Sequence, residues 1–410
     1  MSGRRGTAAV QVLLIVLVAL NLRPAVAAVG PLLTEIRDDL GLSGTAAGAL
    51  TTLPLAFFGA YGLLAAFLRR APRGETLLVA AMGLLVAGLL LRLVPVTPAL
   101  FAGSLVAGIA ISIGNVAVPA IIKRDHPGRI PLVTAIYTVA ICGGASLSSG
   151  VVVPVQRALD ATWRLPLALL AVPAALAGLC WLPRARRGAP GGPVPAGGSS
   201  RRMAARVWRS GLAWQVTAFM GLQSLLAYVV LGWLPTICQD RGMPETSAGY
   251  ALGLTAMIQA VGALAVPALA RRFADQRPIV VVSVALCLAG FAGIAWAPLA
   301  TVWLWAVVLG LAQGALFATA LALLGLRAHD AQAAAQLSGM AQGVGYVIAA
   351  LGPLLLGALH DATGGWDVPM TAVLAVTAAL AVPGWAAGRD RTVGAPTPPE
   401  PECAAPTRTH

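Results

Sequence analysis

"LPRARRGAPGGPVPAGGSSRRMAARVWRS", residues 182–210, carries seven arginines and no acid, is crowded with Gly, Pro and Ser, and has no apolar period. Clustered Gly and Pro punctuate secondary structure, so the segment reads as a linker. On either side the composition inverts. Six apolar runs precede it, at about 8–33, 45–68, 75–95, 97–122, 130–155 and 163–182. Six more follow, at about 210–237, 246–270, 278–297, 300–325, 333–358 and 366–387. A helix needs roughly 20 apolar residues to cross a hydrocarbon core of about 30 Å, and each run is near that length.

The whole chain agrees. Its 410 residues are 58% hydrophobic and 10% charged, where soluble domains carry about 25% charged residues. In water such a chain would expose far too much apolar surface, so lipid is the solvent. The expected class is an all-α membrane protein with twelve transmembrane helices in two six-helix bundles. Residues 1–182 form the first bundle, 183–209 the linker, 210–388 the second bundle and 389–410 a disordered cytoplasmic tail.

A net charge of +13 invites a nucleic-acid reading, and the distribution of that charge excludes it. With the N-terminus placed in the cytoplasm, 22 Lys and Arg fall in inner segments, five (Arg37, Arg92, Arg157, Arg164, Arg241) in outer loops, and Arg23 inside a span. This is the positive-inside signature of a multi-pass protein, with both termini cytoplasmic. One Lys against 27 Arg points to a GC-rich bacterial genome, hence a bacterial cytoplasmic membrane. The start "MSGRRG" with an apolar stretch resembles a signal peptide, but no clear small-residue cleavage site precedes Arg23. It is read as an uncleaved first span. The five cysteines fall singly, without metal or redox spacing, and no nucleophile–base pair appears, so neither metal, cofactor nor catalytic residues are expected. Trp163, Trp181, Trp208, Trp214, Trp296, Trp303, Trp305, Trp366 and Trp385 lie near span ends, where the headgroup layer suits an amphipathic ring.

The halves echo each other. "TAAGAL" at 45–50 answers "TSAGYAL" at 246–252; Arg69 and Arg70 answer Arg271 and Arg272; Arg124 and His126 answer Arg327 and His329. Charged and turn-like matches at nearly one offset indicate an internal duplication.

Six spans, a cytoplasmic linker and six more resemble the plan of major facilitator transporters, whose halves rock about a site near the bilayer midplane. Longer stretches are more specific. "ALNLRPAVAAVGPLLTEIRDDLGLSGTAAGALTTLPL" at 19–55, "IIKRDHPGRIPLVTAIYT" at 121–138 and "LSGMAQGVGYVIAALGPLLLGALHDATGGW" at 337–366 resemble the cyanate and 2-nitroimidazole transporter (CynX/NimT) family of that superfamily. The resemblance implies secondary transport of a small solute without ATP, and no GxxxxGK[ST] loop is present. It implies a monomer in a lipid bilayer whose partners are the solute and a coupling ion, proton or anion. It also implies gates in the inner turns, at Arg69, Arg70, Arg73, Arg124, Arg271, Arg272, Asp275 and Arg327. Ala66 stands where the superfamily's first gating loop usually has Asp, and span five lacks the Gly-Pro pair of drug antiporters.

All 15 acids fall in loops, span ends or tails, which leaves Arg23 as the charge near a span's middle. A charge there costs about 2.5–3.5 kcal/mol on insertion scales, so it should face a cavity or a partner. A solute anion, or a polarised atom of a neutral solute, could supply the missing counter-charge. Ala19, Ala27 and Gly30 clear the helix face around Arg23, and Pro24 deprives the Leu20 carbonyl of its partner, predicting a kink. The alternative for Arg23 is structural, pairing with helix carbonyls or Glu35. In the resembled superfamily spans one, four, seven and ten line the cavity, and each carries an amide here: Asn21, Asn115, Gln223 and Gln313. Gln259, Gln342, Tyr346, Tyr137 and Trp233 complete the expected solute shell, with interhelical hydrogen bonding as the alternative use of each polar group. The reading is a secondary transporter of a small polar or anionic solute working by alternating access. The rivals are a drug or metabolite exporter of the same fold and, more remotely, a non-transporting membrane sensor.

Overall fold

In the computed structural model, residues 2–65, 73–187, 201–270, 272 and 275–393 are described. The first half comprises α1 (Ser2–Ala19), α2 (Pro24–Ala27), α3 (Val29–Leu40), α4 (Gly44–Ala65), α5 (Gly74–Leu91), α6 (Thr97–Asp125), α7 (Ile130–Ala158), α8 (Arg164–Leu169) and α9 (Ala171–Arg187). After the short α10 (Arg201–Trp208), the second half comprises α11 (Gly211–Asp240), α12 (Glu245–Ala270), α13 (Arg277–Trp296), α14 (Val302–Leu326), α15 (Ala331–Thr363) and α16 (Asp367–Ala387). Eleven spans among the described residues are long and apolar enough to cross a membrane. The 22-residue α4 occupies the place of the second span. No strand occurs among the described residues, as expected where every backbone group at membrane depth must be satisfied internally.

Two spans depart from single rods. Span one is α1, α2 and α3 in series, because Pro24 cannot donate to the Leu20 carbonyl. The chain turns there through tighter bonds, Asn21 N to Val18 O at 2.9 Å and Leu22 N to Ala19 O at 3.2 Å. Gly144 of α7 makes room for the freed carbonyl: a Cβ on Gly144 would stand 2.3 Å from Leu20 O. Span six breaks at Leu170, between α8 and α9. Within the residues 183–209 expected as linker, α9 runs on to Arg187 and α10 forms a short helix. Residues 188–200, and the tail from 394, lie outside the described residues.

Packing is pseudo-symmetric. α5 meets α6 and α9 in the first half as α13 meets α14 and α16 in the second, and α4·α6 is matched by α12·α14. The halves meet through α4·α15 and α7·α12, a pair that the same symmetry exchanges. Close approach there rests on glycine, which suits lipid, where small residues and packing drive association. Most of the belt tryptophans are at least partly exposed, but Trp163 and Trp181 are buried and hydrogen-bonded, to Asp39 and to the Leu14 carbonyl, both at 3.0 Å.

Candidate functional site

Between the halves lies a cavity of about 610 Å3. From the first half, the break in span one presents Arg23, α6 presents Asn115, and α7 presents Thr138, Tyr137 and Cys142. From the second, α11 presents Tyr228, α12 Gln259, α14 Phe317, and α15 Ser338, Gln342 and Tyr346. The lining continues to Pro119, Ile122, Leu324 and Ala334, beside the α6–α7 and α14–α15 turns. The cavity therefore opens at the end shared by those turns and the linker.

The opposite end is closed by contacts across the halves. Thr34 Oγ1 donates to Gln239 Oε1 at 2.7 Å, and Gln239 Nε2 donates to Pro31 O at 3.0 Å. Asp361, at the end of α15, accepts from Gly44 N at 2.7 Å and Thr45 N at 2.8 Å. These are the unsatisfied N–H groups of the first turn of α4, so a carboxylate of one half caps a helix of the other. Arg37 stands 3.9 Å from the same carboxylate. Thr52 Oγ1 reaches the Ala350 carbonyl at 2.9 Å, and Arg157 pairs with Glu245 at 3.2 Å. Two glycines let the backbones touch: a Cβ on Gly357 would stand 2.1 Å from Gly44 O, and one on Gly48 2.4 Å from Pro353 O.

Arg23 is the N-cap residue of α2, half-buried, and it forms no ion pair among the described residues. Its Nη1 donates to Gln259 Oε1 at 2.8 Å, across the boundary between the halves. Cys142 Sγ lies 3.9 Å from that same oxygen. Beside them the Tyr137 hydroxyl donates to Asn115 Oδ1 at 3.1 Å, and Asn115 Nδ2 donates to the Ile111 carbonyl at 3.0 Å. Gln342 Nε2 donates to Ser338 Oγ at 2.7 Å. Among the described residues, the polar part of the lining is one guanidinium with neutral amides and hydroxyls, set among aromatic and aliphatic side chains, and it includes no carboxylate.

The structure thus brings Arg23, Asn115, Tyr137, Gln259, Gln342 and Tyr346 to one cavity and leaves out Asn21, Gln223, Gln313 and Trp233. The kink does not rotate Asn21 inward: its Nδ2 donates to Leu17 O at 2.7 Å, with Pro173 O of α9 at 3.4 Å. Gln223 is buried on the other face of α11, donating to Ser224 Oγ at 2.7 Å, and Gln313 faces Cys287 of α13 at 3.6 Å. Trp233 belongs to the closed end, donating to Pro353 O at 3.0 Å. Glu35, the structural alternative for Arg23, accepts instead from Gln156 at 2.6 Å. Cys142, Tyr228 and Phe317 complete the lining without having been expected there. Tyr228, five residues beyond Gln223, lies roughly 140° around the helix from it, and the sequence carried no signal of which of the two faces the cavity.

Of the expected gating residues, Arg124 pairs with Glu75 and Asp125, within the first half. Glu75 thereby supplies a carboxylate where the preceding loop has Ala66. Arg327 is buried against the Ala387 carbonyl at 2.8 Å, the Gly388 carbonyl at 3.0 Å and Gln276, with Asp390 at 3.5 Å. Burial holds its guanidinium below its ordinary range. Asp275 lies 3.8 Å from Arg277, while Arg73 and Arg272 are exposed. At the linker end these groups tie helices within each half rather than the halves to each other. Arg69, Arg70 and Arg271 lie outside the described residues.

A largely apolar cavity with a polar cluster at Arg23, lying between two pseudo-symmetric six-helix halves, sealed at one end and open at the other, defines a secondary transporter of the major facilitator class. Residues 15–350 match the family model described as Major Facilitator Superfamily. The chain is 38% identical over 381 residues to the 2-nitroimidazole transporter of Escherichia coli (strain K12), covering 92% of this chain and 95% of that one. It is 31% identical over 355 residues to the cyanate transport protein CynX of the same organism, covering 86% and 91%. Among solved structures, a bacterial homologue of the human lysosomal transporter Spinster superposes with a TM-score of 0.76 at 15% identity, covering 94% of this chain and 98% of that one. The D-xylose–proton symporter superposes at 0.71 and 15%, covering 94% and 99%. Within the superfamily the chain belongs to the CynX/NimT family.

Proposed function

We propose that this transporter carries a small planar solute with an anionic or electron-rich acceptor group, held against Arg23 while its flat face lies among Tyr137, Tyr228, Phe317 and Tyr346. The observation that carries the reading is the 2.8 Å hydrogen bond from Arg23 to Gln259. A half-buried guanidinium whose one side-chain partner among the described residues is a neutral amide has unused capacity for a charged acceptor, and charge-assisted bonds are roughly twice as strong as neutral ones. The partner comes from the other half, so whatever replaces it is sensed by both. Relatives named for 2-nitroimidazole and cyanate support the substrate class. A cavity of about 610 Å3 with four aromatic rings favours a nitroheterocycle over an ion as small as cyanate.

The positive-inside count turns the open end toward the cytoplasm, so the conformation is inward-facing and both termini are cytoplasmic. The solute enters from one side, its contacts to both halves close the cavity around it, and the outer contacts part to expose it to the other side. Among the described residues the lining supplies no carboxylate for a proton relay, and the anionic solute is itself the charge carrier, with or without a coupled proton.

The test is uptake into liposomes by purified protein. Wild type takes up 2-nitroimidazole or cyanate, and Arg23→Gln loses at least about tenfold in apparent affinity, the equivalent of one charge-assisted bond. Equal uptake by the two proteins overturns the central role of Arg23. Transport confined to bulky hydrophobic cations overturns the substrate class and favours the exporter reading.

A further inference from the structure

Arg92 was expected in an outer loop. It is instead 1% exposed. It forms the C-cap of α5 at the outer end of the third span, where an arginine stem can normally carry its guanidinium out to the headgroup layer. Here the side chain turns inward. Its Cγ lies against Gly103 of α6, where an added Cβ would stand 2.9 Å away. Its Nη1 donates to the Ala25 carbonyl at 2.9 Å, while Nε has no partner. Among the described residues it forms no ion pair.

A buried cation without a counter-charge is costly and is a poor way to gain stability. The geometry offers a functional return. Ala25 lies two residues beyond Arg23, inside the four-residue α2 for which Arg23 is the N-cap. So short a helix, bounded by the break at 20–23 and the turn at Ala28, has little hydrogen bonding of its own to fix its orientation. Arg92 grips it at a carbonyl that, like Arg92 itself, does not line the cavity.

We propose that Arg92 is a positioning residue for transport. It clamps the α2 turn so that Arg23 points into the cavity, and its charge behind the same turn strengthens the positive potential that selects anions. The inference rests on the reading of Arg23 as the solute contact.

Two variants test it in the full-length protein reconstituted in liposomes, with cyanate and 2-nitroimidazole as probes. Arg92→Met keeps the stem against Gly103 and removes the cation; Arg92→Lys keeps the charge and loses the planar fork. Arg92→Met is expected to fold with a Tm equal to or above wild type, since an unpaired buried charge is gone. Its KM for cyanate nevertheless rises about tenfold with little change in maximal rate per folded molecule, as for a misaligned charge-assisted bond. Arg92→Lys falls between. Independently of any solute, deuterium exchange of the amides at 20–28 quickens in Arg92→Met. Failure of Arg92→Met to fold, a wild-type KM, or unchanged exchange overturns the proposal and leaves Arg92 structural. Arg23→Gln, measured in parallel, separates the two claims. An unchanged KM there removes the cavity reading itself, whereas a raised KM there with a wild-type KM in Arg92→Met removes only the clamp.

Discussion

The bond between Arg23 and Gln259 makes a prediction sharper than deletion of either partner. Gln259→Glu places a carboxylate 2.8 Å from the guanidinium, in the oxygen position the amide now holds. A permanent internal anion would then compete with the solute for the same donor. Anion uptake should fall by more than about tenfold in apparent affinity, because one charge-assisted bond now favours the solute-free state. Gln259→Leu leaves Arg23 without its neutral partner and should affect affinity much less. Concentration dependence of uptake by both variants decides it, and a Glu variant indistinguishable from the Leu variant would dismiss the competition. At this scale the sequence was informative about charge and poor about rotation. Arg23 stood out because a cation at membrane depth is rare. Asn21, Gln223 and Gln313 are as polar as Asn115 and Gln259, and nothing in a single helix says which face looks inward. Arg92 was misplaced for a related reason, since proximity to a span end favours the snorkelled form that this arginine does not adopt.

At the scale of elements, the closed end depends on α4 against α15. Asp361 satisfies two N–H groups at the start of α4, reinforced by the Thr45 hydroxyl at 3.1 Å. Replacing a helix-capping side chain costs about 0.5–2 kcal/mol. Here the cost falls on one conformation only, because the carboxylate and the helix belong to different halves and part when the outer end opens. Asp361→Ala should therefore shift the population toward the outward-open state by about five- to tenfold without comparable loss of stability. Spin-label distances across the outer ends of α4 and α15 measure that shift, and an unaltered distance distribution counts against the cap as a latch. Gly357→Val should act in the same direction, since its Cβ would stand 2.1 Å from Gly44 O, a main-chain atom that cannot swing away. The spans themselves were legible from run length. The break in span one followed from Pro24, and the break at Leu170 has the same kind of marker in Pro173, which cannot donate to the Leu169 carbonyl. A cap supplied across 317 residues of sequence leaves no local trace at all.

For the whole molecule, the duplicated sequence signals correspond to a duplicated packing scheme, in which α4·α15 and α7·α12 are the two seams along which the halves move. Linker composition and charge asymmetry were enough to divide the chain; the sign of the conformation was not, because both ends of each seam have the same kind of apolar, glycine-bearing sequence. In this structure the seam ends away from the linker are together, with Thr34 and Gln239 bonded at 2.7 Å. Alternating access requires that pair to separate once per cycle. The full prediction replaces both residues by cysteine, in a background from which the five native cysteines have been removed. A short, reducible thiol-specific cross-linker should then arrest solute uptake, and reduction should restore it. Either single cysteine treated in the same way should remain active, which separates locking from chemical damage. Arrest would show that the outer contacts lie on the transport path, and undiminished uptake by fully cross-linked protein would mean that the solute passes without the halves parting at this end.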